Sequence, residues 1–574
     1  MRRCLTLVAL LAALAASPAA LSQPTTTELM PAVTYSQEVR TIGGETVVLH
    51  VVVAPKPGGL YRLAPVLSEG DVTGRATLTE MQKPLAGSAT VVGVNGDLFN
   101  WKLGYPTGMV MHEGLLAARP VSTRSSLAIG VDGLLRIARV GFFGRWALAD
   151  GERRPLAQFN RPLEGNGVAL FTSTWGSVTP VSKKAVDIVI DTFPKASVGT
   201  DLVGQVASVS EGGGTEIPRE GAVVQAVGPL ANELLSSAVP GSSFLVRLNL
   251  RPWWDDVADA IGGGPALIQD GKVVLPTSEH FTPSQLQPRA PRTAVGQLED
   301  GRIVFVAVDG RSAASAGVDL RQLAEELVRL GVVNGMALDA GGSTELAFDG
   351  HVLNTPSDGQ ERALSNSLMV FYFGVYAAPP SEPVVSPNGD GAAETEQVSF
   401  KIVKASTVEA RLVGPGGHVF YKDESPKEPG TYPFEVAKDV LKEGTWRWVV
   451  RATDQDGNKS KAERSFTVNN TLGFLELSKR ALKVTKKRGA TVGISFRVAS
   501  RARVSVTIEN QLGLVVRTLE SRVLRKPGEV ALSWDARSEP GAVVAPGAYT
   551  VSISATNNLG PVELSARVTV KRRK

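Results

Sequence analysis

Apolar positions along this sequence fall into three kinds of run. The first follows Met1-Arg2-Arg3-Cys4 and stays apolar from Leu5 to Ala16, then meets Ser17-Pro18 and Ala20-Leu21-Ser22. A charged start, an apolar stretch too short to span a bilayer and small residues at a cleavage position predict a secretory signal over residues 1–22. The second kind is a continuous apolar run that stops at polar residues beside glycine. Ala89 to Val94 stops at Asn95-Gly96-Asp97, Ile303 to Val308 at Asp309-Gly310-Arg311, and Met336 to Leu338 at Asp339-Ala340-Gly341-Gly342-Ser343. Between the last two lies a helical pattern, Leu320 to Leu330, with apolar residues on one face, a capping box from Asp319 to Gln322, and Gly331 as its stop. Strand, helix and strand in that order predict a right-handed crossover with parallel strands, and hence Asp309 and Asp339 at one sheet edge. The third kind alternates apolar and polar, as in Val398 to Ile402 and Trp446 to Val450, and predicts sandwich strands.

The change from the second kind to the third coincides with a proline-rich break, Ala377-Ala378-Pro379-Pro380-Ser381-Glu382-Pro383. Beyond it Gly444-Thr445-Trp446 through Ala452-Thr453 to Gly457 recurs as Gly547-Ala548-Tyr549 through Ala555-Thr556 to Gly560. The expected fold is therefore a multidomain chain: a mixed α/β domain over 23–376, a linker over 377–384, and two all-β Ig-like sandwiches over 385–470 and 471–574. Ser386-Pro387-Asn388-Gly389-Asp390-Gly391, and Trp534-Asp535 followed by Ala545-Pro546-Gly547-Ala548-Tyr549, resemble the signatures of Ig-like domains related to the flagellar hook-capping protein. Asn388, Asp390 and Glu394 are the candidate ligands for a Ca²⁺ ion, against the alternative of a plain Asx turn.

Composition narrows the chemistry. Of 574 residues, 59 are Gly and 35 Pro while aromatic residues make up 6%, which favours short strands and turns. The single cysteine, Cys4, lies in the segment expected to be removed, so a mature chain would have no thiol for catalysis or metal binding. Net charge is +5, with 61 basic and 56 acidic residues largely interspersed, and no nucleic-acid module is evident. Lys571-Arg572-Arg573-Lys574 is a short basic run, read as a solvated tail, with added affinity for acidic envelope polymers as the alternative. None of the five histidines stands in a metal-ligand spacing.

Asn95-Gly96-Asp97-Leu98-Phe99, Pro106-Thr107-Gly108, Ile261-Gly262-Gly263-Gly264-Pro265, Arg292-Thr293-Ala294-Val295-Gly296, Asp309-Gly310-Arg311, Leu338 to Thr344 and Asn354-Thr355-Pro356-Ser357-Asp358 resemble, as an ordered set, the phosphodiester glycosidase family. The resemblance implies hydrolysis of a sugar-1-phosphodiester at the anomeric carbon–oxygen bond. A cationic sugar transition state needs carboxylates, here Asp339 and Asp309. A phosphate leaving group needs fixed cations, for which Arg292, Arg311 and Arg362 are the candidates. Asn95 and Asn354 are expected to hydrogen-bond sugar hydroxyls or to orient a carboxylate, Asp97, Thr293 and Ser343 to contact substrate, and Gly262 to Gly264 with Gly341 and Gly342 to offer backbone N–H groups to phosphate. Three positions depart from the family pattern: Ala337 replaces an Asn, Ala340 a Gly, and Glu345 a small or hydroxylic residue. The expected protein is a secreted hydrolase (periplasmic, cell-surface or extracellular) acting on a carbohydrate or glycosyl phosphodiester. The rivals are a glycan-binding envelope protein with a decayed centre and an ordinary glycosidase.

Overall fold

The computed structural model describes residues 25–149, 151–276, 278–286, 288–485 and 489–572. The expected secretory signal and residues 573–574 of the basic tail lie outside them. The chain divides into two compact units, Ser22–Phe373 and Gly374–Lys574.

The first unit is mostly β. Its largest sheet has eight strands in the order Thr25–Met30, Val33–Ile42, Glu45–Ala54, Ile303–Val308, Arg292–Leu298, Val332–Ala337, Ala266–Gln269 and Lys272–Val273. Every neighbouring pair is antiparallel. The predicted helix forms over Leu320–Arg329 with its Asp319/Gln322 capping box, and it buries Leu320, Leu323, Ala324 and Leu327. These residues pack with Val47, Leu49, Val304, Val306 and Leu267 in one apolar cluster. Removing one such side chain, Leu323→Ala for instance, would cost about 2–5 kcal/mol. Gly331, at a φ of 83°, ends the helix as expected.

Two expectations need correction here. The helices of this unit are few and short, so it is a mostly β domain rather than a mixed α/β one. The strands flanking Leu320–Arg329 do run in the same direction, but they are not neighbours, because Arg292–Leu298 lies between them and antiparallel to both. A tight turn explains this. Gly301 N donates to Leu298 O and Leu298 N to Arg302 O, so Arg292–Leu298 and Ile303–Val308 fold as a hairpin. The place beside Ile303–Val308 is then filled before the crossover returns. The functional consequence of the expectation survives, since Asp309 and Asp339 still follow co-directional strands, and Arg292 opens the strand between them at the same edge.

Asn95 closes a strand of a second sheet, ordered His351–Val352, Leu346–Phe348, Thr90–Asn95, Asn366–Tyr372, Tyr61–Leu67. A further lobe of sheets, antiparallel but for the pairing of Gln158–Phe159 with Gly167–Thr172, packs around Trp146, Phe159 and Phe244.

The second unit contains two sandwiches of the same topology, each a three-stranded sheet on a five-stranded one. Gly444–Asp454 and Gly547–Asn557, the strands that begin the sequence repeat, take equivalent central places in the two five-stranded sheets. Trp446 and Trp448 fill one core, Trp534 and Tyr549 the other. The first sandwich starts earlier than the proline break implied. Tyr376–Ala377 pairs with Glu396–Ile402, and Val375, Ala377 and Val385 belong to its core. Ser381, in the middle of the expected linker, donates from both its N–H and its hydroxyl to Glu396 Oε1. Proline here marks an edge crossing inside a domain, a place that has no ladder partner to lose.

Of the two readings of the 388–394 loop, the hydrogen bonds draw the Asx turn. Asn388 Oδ1 accepts from Asp390 N, Glu394 Oε1 from Gly389 N and Gly391 N, and the two Asp390 oxygens from Ala392 N and Phe474 N. The oxygens expected to ligate a cation instead hold an Asx-type turn and tie it to residue 474. Among the described residues no cluster of three His, Cys, Asp or Glu side chains is arranged to hold a metal ion.

Candidate functional site

The edge of the eight-stranded sheet meets the end of the Asn95 strand, and the contact is made by side chains. Asn95 is wholly buried. Its Oδ1 accepts from Thr293 Oγ1 at 2.6 Å and Glu345 N at 3.2 Å, while its Nδ2 donates to Asp339 O at 2.8 Å. Asp339 N in turn donates to Gly96 O at 3.0 Å. Asn95 and Thr293 therefore join the two sheets and fix the backbone of Asp339, rather than facing a substrate as expected. The chemistry they were expected to supply falls to the groups they position.

Asp339 is half-buried at this junction. Its Oδ1 accepts from Ala340 N at 2.9 Å, and the Ser343 hydroxyl donates to its carboxylate. Burial raises its pKa above the usual carboxylate range and the charge of Asp97 adds to this, against the Ser343 and Ala340 donors and the Arg362 cation. Ser343 is fully buried and also accepts from Arg362 Nη1 at 3.3 Å. With one bond received from Arg362 and one given to Asp339, Ser343 acts as a spacer between cation and carboxylate and not as a nucleophile.

Asp309 is held differently. It is buried, with Oδ2 3.1 Å from His50 Nε2, and Oδ1 accepting from Thr355 N at 3.0 Å and Asn354 Nδ2 at 3.3 Å. Burial alone would raise its pKa, but the His50 hydrogen bond and charge, with the Thr355 and Asn354 donors, hold it below the usual value. Asp309 accepts from His50 Nε2, and His50 Nδ1 lies 2.9 Å from the Tyr35 hydroxyl on its other side. Burial, and then the Asp309 charge, push the Tyr35 phenol up to about 12. Tyr35, His50 and Asp309 thus form a chain that keeps the carboxylate charged. Sequence reading missed His50 and Tyr35. His50 sits within an apolar strand run, and only its place opposite Ala307 in the sheet register reveals the pairing. Asn354, whose Oδ1 accepts from Leu346 N, orients Asp309 and is not free for sugar hydroxyls.

The glycines make room for charge. A Cβ on Gly108 or Gly262 would lie 2.4 or 2.6 Å from Asp97 Oδ2, so the two glycines form the slot in which that carboxylate is buried. Gly108 N donates to it at 2.5 Å and Arg124 Nη1 lies 3.6 Å from its other oxygen. Burial still raises the Asp97 pKa, opposed by Arg124, the N–H groups of Gly108 and Leu98, and Arg161. Asp97 is a buried neighbour that tunes Asp339 and not a surface ligand. The Gly262 and Gly264 amides donate to Met109 O and Ala337 O, and Gly341 N to Pro291 O, so none of the three is available to phosphate.

Gly341 and Gly342 instead carry two guanidiniums. A Cβ on Gly341 would sit 2.9 Å from Arg311 Nη2, and one on Gly342 only 1.8 Å from Arg362 Nη2. Both arginines therefore lie against the backbone of the turn that follows Asp339. Arg362 is paired with Asp358, Nη2 to Oδ2 at 2.5 Å, whereas Arg311 is exposed and has no ion pair among the described residues. Arg292 is corrected: it is buried and gives four N–H bonds to the carbonyls of Val318, Gln285, Leu286 and Pro288. Burial lowers its pKa to about 10. It clamps the preceding loop, and its cation is turned away from the role of phosphate ligand.

Of the three departures, Ala337 belongs to the apolar cluster under the sheet, and Ala340 contributes its N–H to Asp339. Glu345 is fully buried, with Oε1 accepting from Arg362 N and Oε2 without a hydrogen-bond partner. Burial, more than the nearby Glu361, pushes its pKa up to about 8, against the N–H donors of Arg362 and Leu78 and the Arg362 charge. The unfolded chain releases this proton near the ordinary value of 4.5, so between there and about 8 the folded state holds one proton more. Stability from this group is complete below 4.5 and is lost as pH rises through 8. Glu345→Gln is expected to flatten the fall in melting temperature between pH 5 and 8.5, and at pH 8.5 to stabilise the protein by on the order of 3 kcal/mol. An unchanged pH slope in the variant would show that the carboxyl ionises freely.

Residues 195–371 match the phosphodiester glycosidase family, and residues 481–558 the FlgD Ig-like domain. The SPbeta prophage-derived uncharacterized protein YomE of Bacillus subtilis (strain 168) is 37% identical over 106 residues, 18% of this chain and 16% of that protein. The N-acetylglucosamine-1-phosphodiester alpha-N-acetylglucosaminidase of Bos taurus is 40% identical over 67 residues, 12% of each chain. The chain thus spans under a fifth of the length of either relative. A hypothetical protein from Synechocystis has a solved structure that aligns with a TM-score of 0.53 at 24% identity, covering 61% of this chain and 64% of that one, a likeness of fold. Asp309, Arg311, Asp339, Ser343 and Arg362 fall inside the matched family segment, while Tyr35, His50, Asn95 and Asp97 fall outside it.

Proposed function

Because residues 195–371 match the phosphodiester glycosidase family, we propose that the chain is an exported hydrolase that cleaves a glycosyl phosphodiester at the anomeric carbon–oxygen bond. The observation that carries this reading is the placing of Arg311 and Arg362 on the Gly341-Gly342 turn, immediately after Asp339. A guanidinium pair beside a carboxylate suits a substrate that is anionic on one side of the breaking bond and becomes cationic on the other. Export rests on the pattern of residues 1–22.

In this mechanism Arg311, with Arg362 behind it, takes the phosphate oxygens and stabilises the charge that grows as the bond to the sugar lengthens. Phosphate is a weak base, so its departure needs that charge compensation more than a proton. Asp339, reachable from solvent, faces the anomeric carbon and either activates water or attacks it directly. Asp309 stays ionised through His50, Thr355 and Asn354, and supplies a fixed negative potential for the oxocarbenium-like sugar.

Hydrolysis of a sugar-1-phosphodiester in ¹⁸O-water tests this. Label is expected on the anomeric oxygen of the released sugar, with the phosphate monoester unlabelled. Label in the phosphate would make the centre a phosphodiesterase. Turnover of aryl glycosides alone would make it an ordinary glycosidase, and saturable binding without turnover a decayed centre, the reading that Ala337 and Ala340 favour.

A further inference from the structure

Beside the cation and carboxylate stands an aromatic ring that the proposed mechanism does not use. Trp101 is 58% exposed and Trp253 52%, whereas Trp146 and Trp175 of the same unit are buried. Exposure alone is ordinary for a single apolar ring, and what sets Trp101 apart is its place beside Arg362. It is also held in place. Asn100 Oδ1 accepts from Lys102 N at 3.0 Å and Leu103 N at 2.9 Å, Gly104 N donates to Asn100 O, and Asn100 N to Tyr105 O, which closes the loop on itself. Phe99, anchored in the core, lies 4.9 Å from the Trp101 ring. The Arg362 guanidinium is 5.2 Å from the ring centroid and that of Arg75 5.8 Å.

These contacts link the ring to the site. Arg362 donates to Ser343, which donates to Asp339, so Trp101 stands one side chain beyond the groups assigned to the phosphate and the anomeric carbon. An exposed ring on a closed loop loses little freedom when a ligand covers it, and a pyranose presents an apolar C–H face of similar width.

We propose that Trp101 is the stacking platform for the sugar ring, and so a specificity-determining residue for the glycosyl part of the substrate. The proposal rests on the hydrolase reading for its choice of substrate, and it adds that the sugar is read by its apolar face and not by hydrogen bonds from Asn95 or Asn354. The Arg75 and Arg362 guanidiniums are attracted to the ring and keep its position fixed.

Equilibrium binding separates this from turnover. The dissociation constants of glucose 1-phosphate, galactose 1-phosphate, N-acetylglucosamine 1-phosphate and inorganic phosphate are measured by calorimetry on the full chain, on Trp101→Ala and on Trp101→Phe. For the sugar phosphates that bind, Trp101→Ala is expected to weaken affinity about tenfold or more, and Trp101→Phe to recover most of it. Inorganic phosphate should bind all three proteins alike, and melting temperatures should agree. Equal weakening of inorganic phosphate would mean that Trp101 acts only through Arg362, and would overturn the proposal. Unchanged affinity in Trp101→Ala, or no binding of any sugar phosphate by the full chain at millimolar concentration, would overturn it too. Turnover with a normal KM in Trp101→Ala keeps the hydrolase and removes the platform. Weakened binding in a chain without turnover keeps the platform and removes the hydrolase.

Discussion

Asp339→Asn is expected to lower kcat at least about a thousandfold while leaving the melting transition where it was. The asymmetry follows from what the carboxylate touches. Its structural partners are the Ala340 N–H and the Ser343 hydroxyl, both donors, and an Asn amide oxygen can accept in place of the carboxylate, through weaker neutral bonds. The backbone of residue 339 is held by Asn95 and Gly96 and does not depend on the side chain at all. Only the charge is lost, and burial already disfavours that charge. Circular-dichroism melting and steady-state kinetics on the same preparation check this. Parallel losses of kcat and of melting temperature would assign Asp339 to structure.

A second contrast separates two arginines that look alike in sequence. Arg311→Ala is expected to lower kcat/KM for a phosphodiester by about a hundredfold to a thousandfold, with little effect on any neutral glycoside and little on stability. Arg311 is exposed, and among the described residues it has no ion-pair partner that would be orphaned. Arg292→Ala should do the reverse. It strips the carbonyls of Val318, Gln285, Leu286 and Pro288 of their donors and leaves a buried void, at a cost of about 3 kcal/mol or more. Chemical denaturation measures the second effect, and substrate-class ratios the first. If Arg292→Ala were selective for the phosphodiester in a fully folded protein, the assignment of the two residues would be reversed.

The strand ends were legible because each is a continuous apolar run stopped by Asn or Asp beside glycine, a local signal that needs no tertiary knowledge. The helix Leu320–Arg329 was legible for the same reason, since its cap, stripe and stop lie within a dozen positions. Strand adjacency was not. The hairpin that inserts Arg292–Leu298 shows in sequence only as Asp300-Gly301, and its consequence for the sheet depends on which pairing forms closer along the chain. The role of Arg292 was misread, and the two readings open for Asn95 and Asn354, sugar contact or orientation of a carboxylate, could not be separated, because residue type states what a side chain can bond and not which way it points. His50 was invisible for a related reason. A histidine inside a buried strand gains its meaning from Asp309, more than 250 residues away. The proline break, read as a linker, is instead strand-edge backbone of the first sandwich, whose core already includes Val375.

The order of strands in the large sheet also sets a problem for the chain while it is being made. Glu45–Ala54 pairs with Val33–Ile42 as soon as both exist, but its other edge belongs to Ile303–Val308. Between the two events lie roughly 250 residues, a wait on the order of ten seconds or more at ordinary rates of synthesis. Throughout it, an almost wholly apolar strand, Val47-Val48-Leu49-His50-Val51-Val52-Val53, offers unpaired backbone to any other chain. Such long-range pairing also slows folding after synthesis, because the loop must close before the contact rewards it. The nascent protein is therefore most exposed to aggregation at the strand that later holds the Asp309 carboxylate in its charged state, and His50, the one polar side chain in that run, is also the only interruption of its stickiness.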